Sequence, residues 1–136
     1  MERLATQLAL HGAAVLTASL VAGLFLHKAI RLDREASAWH LVHAGGSARG
    51  VLLIALAATI QLVALPLWQL FVFVWLMIFF AWTSMLAMVL AAGSGERGLS
   101  WKGSGTNKLV YALYVVGAIA VFPAAFLLVV GLLNAL

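Results

Sequence analysis

Apolar residues occupy the chain in long runs, and the first run extends from Leu4 to Leu26. This run is long enough to cross a bilayer as one helix, which takes about 20 residues. A second stretch, the 42 residues from Val51 to Ala92, carries no formal charge. As one helix it would measure about 60 Å at roughly 1.5 Å per residue, twice the thickness of the hydrocarbon core. The stretch therefore predicts two membrane helices.

Pro66 marks the break between these two helices, because proline lacks a backbone donor and disfavours helical backbone at the residue before it. Counting one membrane width back from Pro66 starts the second helix near His40 to Gly46. A glycine-rich segment and a last apolar run that contains Pro123 predict a fourth, bent helix. The pattern predicts an all-α, integral membrane four-helix transmembrane bundle, a single domain over residues 1–136 with helices at about 4–30, 40–65, 67–92 and 108–135.

Composition supports this fold class, since 65% of the residues are hydrophobic and only 9% are charged. Soluble domains carry about 25% charged residues, so a water-soluble domain is excluded. The chain has no cysteine, which excludes disulfides and thiolate-ligated metals. A cleaved signal peptide is the alternative for the first apolar run, but that run is long and no clear cleavage site follows it.

Basic residues concentrate on one side of the predicted bundle. The segments 27–49 and 93–108 hold seven of the eight Lys and Arg residues, and the eighth is Arg3. Because basic loops stay in the cytoplasm, we expect these two segments to be cytoplasmic and both termini to be outside, in a bacterial inner membrane. The basic residues form no continuous stripe, which argues against a nucleic-acid partner.

Histidines are the main candidates for metal ligands, and there are four of them: His11, His27, His40 and His43. The first two are about 24 Å apart along a helix and cannot meet at one metal on it. His40 and His43 share a helix face with Gly46 and Gly50. The glycines leave room for something flat against that face, either a neighbouring helix in a small-residue contact or a porphyrin.

The order of Trp39, His43, Gly45 and Gly50 resembles the second-helix motif of the membrane-bound styrene oxide isomerases. Trp82 and the sequence Arg97-Gly98-Leu99-Ser100 also match that family, in the same register and without a gap. His11-Gly12 resembles the family's amino-terminal His-Gly. The similarity thus touches all parts of the chain.

The resemblance implies a homotrimer that holds haem b between subunits, with His43 as the axial ligand of the iron. The other residues expected at the cofactor are Trp39, Gly46, Arg49, Gly50 and Trp82. Members of the family use ferric haem as a Lewis acid to isomerise an epoxide, such as an aryl epoxide, to a carbonyl compound without net redox change. This chemistry needs one open axial position and a dry, apolar wall for the substrate, which the third helix could supply.

Three positions depart from the family's pattern. Arg49 stands at the position of its active-site asparagine, Phe80 at that of a carboxylate, and Met88 at that of its active-site tyrosine. A methionine cannot donate the hydrogen bond that a tyrosine can, so the sequence leaves open whether the protein is an active epoxide isomerase. Arg49 needs an anionic partner in the membrane, such as a haem propionate or a lipid phosphate, or it extends to the headgroups.

Two alternatives remain at the level of the sequence. In the first, the protein is a haem-based redox or haem-handling protein, and His27 occupies the sixth position of the iron. In the second, it is a small, non-enzymatic membrane assembly protein in which His40 and His43 bind nothing or bind zinc or copper weakly.

Overall fold

A computed structural model describes all residues from Met1 to Leu136. The chain forms four α-helices and one 3₁₀ turn: α1 Glu2–Arg31, α2 Ser37–Thr59, the 3₁₀ turn Ile60–Leu62, α3 Leu67–Ser94 and α4 Gly105–Leu133. All four helices are long and apolar enough to cross a membrane. The predicted all-α, four-helix membrane fold is therefore confirmed, and the protein is an integral membrane protein.

Helix α2 differs most from its predicted range. It begins at Ser37, and after the 3₁₀ turn the backbone is extended at Val63, with φ −93° and ψ 101°. The helix stops short of residue 65 because Pro66 disfavours helical backbone at the residue before it. Because α2 begins at Ser37, His40 and His43 lie within its first two turns.

Consecutive helices run in opposite directions, so the connections fall at two ends of the bundle. The segments 32–36 and 95–104 lie at one end, which we call the loop end. The segment 60–66 and both termini lie at the other, which we call the turn end. Helix α1 packs along α2 and α3 along α4, and α3 also contacts α1 and α2. Helix α3 is the most buried of the four and forms the centre of the bundle.

The core is concentrated towards the turn end. A cluster of 13 buried residues from all four helices, centred on Leu53 and Phe73, fills that half. Towards the loop end the buried cluster has only four members: Ala22, Val42, Met85 and Met88. The loop-end half is therefore less tightly filled by buried side chains, and His43 and Arg49 lie in it.

Helices α1 and α2 touch through their backbones. A Cβ on Gly12 would stand 2.8 Å from the carbonyl oxygen of Gly50, and a Cβ on Gly50 would stand 2.8 Å from that of Gly12. Further along, a Cβ on Gly46 would stand 2.7 Å from the Cβ of Ser19. The Ser19 hydroxyl lies 2.8 Å from that of Ser47. We call this contact the α1–α2 seam, and it fixes which residues of the two helices face each other.

Asn107, in the first turn of α4, organises the segment 95–104. Its Oδ1 accepts the N–H of Gly98 at 2.8 Å, and its Nδ2 donates to the carbonyls of Ser100 at 2.9 Å and Lys102 at 2.6 Å. The hydroxyl of Ser104 caps the helix by accepting the N–H of Asn107 at 3.0 Å. These bonds explain why α4 begins three residues before its predicted start, since the loop is held against its first turn.

Candidate functional site

His43 projects from α2 towards α1, where its Nδ1 lies 2.9 Å from the carbonyl oxygen of Ser19. A carbonyl oxygen only accepts hydrogen bonds, so Nδ1 carries the proton and donates it. The lone pair of Nε2 is then free for a metal. Histidines that ligate metals usually hold their other ring nitrogen in this way, which fixes the tautomer and the orientation of the ring.

Gly23 provides the space for this ring. A Cβ at Gly23 would stand 3.1 Å from Nδ1 and 3.2 Å from Cε1 of His43. The imidazole therefore lies almost directly on the α1 backbone, and any side chain at Gly23 would press on it. A hydrogen bond and a close packing contact together hold His43 in one orientation.

One histidine whose second ring nitrogen is held by a hydrogen bond has the donor arrangement of an axial ligand of haem iron. Groups of three or more His, Asp or Glu side chains, such as a zinc or copper site would use, do not occur in the structure. His40 is exposed at the loop end, and His27 is exposed on α1 one turn beyond Gly23.

Trp39 and Trp82, from different helices, line one cavity of about 340 Å³ between α1, α2 and α3. Every residue that lines it is apolar, and Phe25 closes one side by stacking on Trp39 with ring centroids 4.8 Å apart. Trp39 lies one helical turn before His43 on α2, and His43 itself does not line the cavity. Helix α3 supplies an apolar wall that includes Met85 and Trp82.

The indole of Trp82 is held by a histidine that lies far from His43. The Trp82 Nε1 donates to the Nδ1 of His11 at 3.0 Å, and the ring of Trp75 approaches His11 edge-on with centroids 6.1 Å apart. His11 precedes Gly23 by 12 residues, about 18 Å along α1, so it holds Trp82 and does not belong to the surroundings of His43. No spacing rule predicts this contact between α1 and α3.

Residues of motifs that are far apart along the chain are thus in contact in the structure. His11 contacts Trp82, and Gly12 contacts Gly50. The family model of styrene oxide isomerase matches residues 4–133. The chain belongs to the styrene oxide isomerase family. No curated protein and no solved structure matches it.

Gly46 and Gly50 of this styrene oxide isomerase family member are buried in the α1–α2 seam. The close helix contact, one of the two explanations that their spacing allows, is therefore present within a single chain. A direct contact of these glycines with a cofactor stays a prediction. Their observed effect is to bring Ser19 and Gly23 of α1 within reach of His43.

The three departures from the pattern of the styrene oxide isomerase family form one cluster. The Nη1 of Arg49 donates to the Gly45 carbonyl at 2.8 Å and lies 3.8 Å from the sulfur of Met88. Its guanidinium carbon lies 5.3 Å from the centroid of the Phe80 ring. The Arg49 Nε is buried and has no hydrogen-bond partner. The side chain thus points into the bundle between α2 and α3, among neutral groups.

Proposed function

We propose that the protein binds haem b through His43 and isomerises an epoxide to a carbonyl compound without net redox change. The hydrogen bond between His43 and the Ser19 carbonyl carries this proposal, because it leaves Nε2 as a free ligand in a fixed orientation. Membership of the styrene oxide isomerase family supports the class of reaction.

Trp39 and Trp82 are the other residues best placed to act, since both line the apolar cavity and Trp39 lies one helical turn from His43. Bound ferric haem would supply a Lewis acid for the epoxide oxygen. The chain's own contribution is a wall without polar side chains, which holds an aromatic epoxide and keeps out the water that would open the ring to a diol. These aromatic walls favour an aryl epoxide as substrate.

Gly46 and Gly50 take part in this proposal by holding α1 against α2, so that the Ser19 carbonyl and Gly23 stay at the His43 ring. Arg49 provides a cation for an anionic group of the cofactor or of another ligand. It lies about one turn beyond Gly45 and almost three turns beyond Trp39 on the same helix, deeper in the bundle.

We further propose a homotrimer in the bacterial inner membrane. His43 is half-buried and the loop-end core has only four residues, so one subunit gives a flat cofactor little cover and neighbouring subunits would supply the rest. The basic residues favour cytoplasmic segments 27–49 and 93–108, with both termini outside.

The test is an absorption spectrum of the detergent-purified protein in the oxidised and reduced states, with the pyridine haemochrome to identify haem b. We expect a Soret band and an open or water-bound ferric site in the natural protein. His43→Ala should abolish haem retention. His40→Ala, which removes an exposed imidazole from the same helix, is the matched control and should retain the haem.

Equal loss of haem in both variants would show that His43 is not the ligand. A six-coordinate, low-spin ferric spectrum would favour electron transfer or haem handling with a second histidine. A protein that stays colourless after haem is supplied would overturn both haem functions and leave an assembly role.

A further inference from the structure

A second cavity, of about 420 Å³, opens at the loop end between α2, α3, α4 and the segment 95–104. Unlike the cavity lined by Trp39 and Trp82, it combines apolar and polar walls. The residues that matter for its chemistry are His40, Leu41, Ala91, Glu96, Arg97 and Tyr114. The proposed isomerisation leaves this cavity without a role.

Arg49 does not line this cavity, but the two residues that its Nη1 contacts each lie one helical turn from a residue that does. Leu41 is one helical turn before Gly45, and Ala91 is one turn after Met88. Gly45 and Met88 are the two residues that the Arg49 Nη1 contacts. Tyr114 lines the cavity and packs against the loop-end cluster that contains Met88, the residue whose sulfur Arg49 contacts.

Arg49 is a cation inside the bundle that has no carboxylate partner there. The four acidic residues of the chain are Glu2, Asp33, Glu35 and Glu96, and all of them lie in the loops or at the first residue of α1. The contacts of Arg49 are a carbonyl, a thioether and an aromatic ring, and its Nε is buried without a partner. Charged side chains within membrane helices normally pair with an opposite charge or mark a ligand path.

We propose that this cavity binds the carboxylate of a small molecule with an apolar body, and that Arg49 and the Tyr114 hydroxyl donate to that carboxylate. A guanidinium matches the two oxygens of a carboxylate in a bidentate geometry, and a phenol adds one further donor. One cation balances a monoanion, whereas a phosphate dianion would need a second.

The formal charges of Glu96 and Arg97, which both line the cavity, cancel. The Glu96 Oε1 accepts the Ser104 hydroxyl at 2.6 Å, which holds this carboxylate towards the segment 95–104. The walls formed by Leu41, Ala91 and Leu99 suit an apolar body. The site needs no metal ligand, so it can be tested whether or not His43 binds haem.

Phenylacetate and its neutral amide, phenylacetamide, are a matched pair of probes. Binding to the detergent-purified protein is measured by isothermal titration and by the shift of the thermal unfolding midpoint. We expect saturable binding of phenylacetate and none of phenylacetamide. Arg49→Gln should abolish the binding, and Tyr114→Phe should weaken it about tenfold, as expected for one hydrogen bond to a charged group.

Arg49→Lys keeps the charge and should retain weak binding, which separates loss of the site from loss of the fold. The comparison of the two probes on the unaltered protein needs no variant at all. Equal binding of the amide, or no binding of phenylacetate to the haem-free protein, would overturn the proposal.

The same titration on haem-free and haem-loaded protein identifies the source of the carboxylate. Binding of phenylacetate to both forms assigns the site to a free acid. Binding to the haem-free form alone, with competition against haem loading, supports the carboxylate site and identifies a haem propionate as its occupant.

Discussion

The Nδ1 of His43 on α2 lies 2.9 Å from the carbonyl oxygen of Ser19 on α1. The imidazole can approach this carbonyl because the next turn of α1 presents Gly23, which has no side chain to block it. The tautomer of the candidate ligand on one helix is therefore set by the backbone of another. Any change in the packing of α1 against α2 alters the ligand as well.

Gly23→Val should displace the His43 ring, since the added Cβ would stand 3.1 Å from Nδ1 before the branches are counted. We expect haem affinity to fall about tenfold, the size of effect typical of disturbing the hydrogen-bond partner of a ligand. Spectrophotometric titration with haem measures this affinity. Gly93→Val is the control, because a Cβ there meets nothing within 4 Å. Unchanged affinity in a folded Gly23→Val protein would contradict the assigned role of Gly23.

His11→Ala removes the acceptor of the Trp82 indole N–H. We expect the free energy of unfolding to fall by about 1 kcal/mol, the net value of an ordinary hydrogen bond, while haem retention is unaffected. His11→Gln supplies another acceptor and should lose less stability. Unfolding in mixed detergent measures both variants, with tryptophan fluorescence as the probe. A loss of haem in His11→Ala would mean that the wall of the cavity and the ligand are coupled.

Met88→Tyr places a phenol beside Arg49, where the methionine sulfur now lies 3.8 Å from Nη1. If the substrate oxygen is bound near this cluster, the new donor should raise the rate of epoxide rearrangement by roughly tenfold or more. The assay follows aldehyde formation from styrene oxide. Met88→Phe controls for size, and an equal gain in that variant would exclude the hydroxyl as the cause. No gain, with haem still bound, would show that the pocket serves another substrate.

Gly12→Ala should destabilise the bundle, because its Cβ would stand 2.8 Å from the Gly50 carbonyl oxygen, an atom of the backbone that cannot rotate away. The expected loss is about 1–3 kcal/mol, as for other overpacked positions. Gly105→Ala is the comparison, since a Cβ at Gly105 meets nothing within 4 Å. Equal stability of the two variants would mean that the α1–α2 seam adjusts more easily than its backbone contacts indicate.

The number of helices could be predicted from the sequence because the length of an apolar run and the position of Pro66 are local properties. The start of α2 was less predictable. Ala36 occupies its N-cap position, and no side chain caps the helix there. A helix that begins without a capping signature leaves only hydropathy to locate its start, and hydropathy is ambiguous around His40.

The candidate site could be predicted in part. The motif indicates His43 as the ligand. Its partner is a main-chain carbonyl, which no sequence pattern can identify because every residue has one. Arg49 and Met88 are two separate departures from the family's pattern in the sequence. Their contact depends on how α2 is rotated against α3. That rotation depends on small residues such as Gly45, where a Cβ would stand 3.0 Å from the Met88 sulfur. Such packing is a property of the whole bundle and not of any one segment.

The hydrogen bonds of Asn107 limit where a tag or a fluorophore can be inserted into the chain. Exposed glycine-rich segments usually accept an inserted tag or fluorophore, and composition alone would select 95–104. An insertion there would separate Asn107 from Gly98 and Ser100 and leave a buried amide without its partners. The segment 32–35 is exposed throughout and has no such anchor on another helix. A tag placed between Arg34 and Glu35 would report on the loop end while leaving the bundle intact.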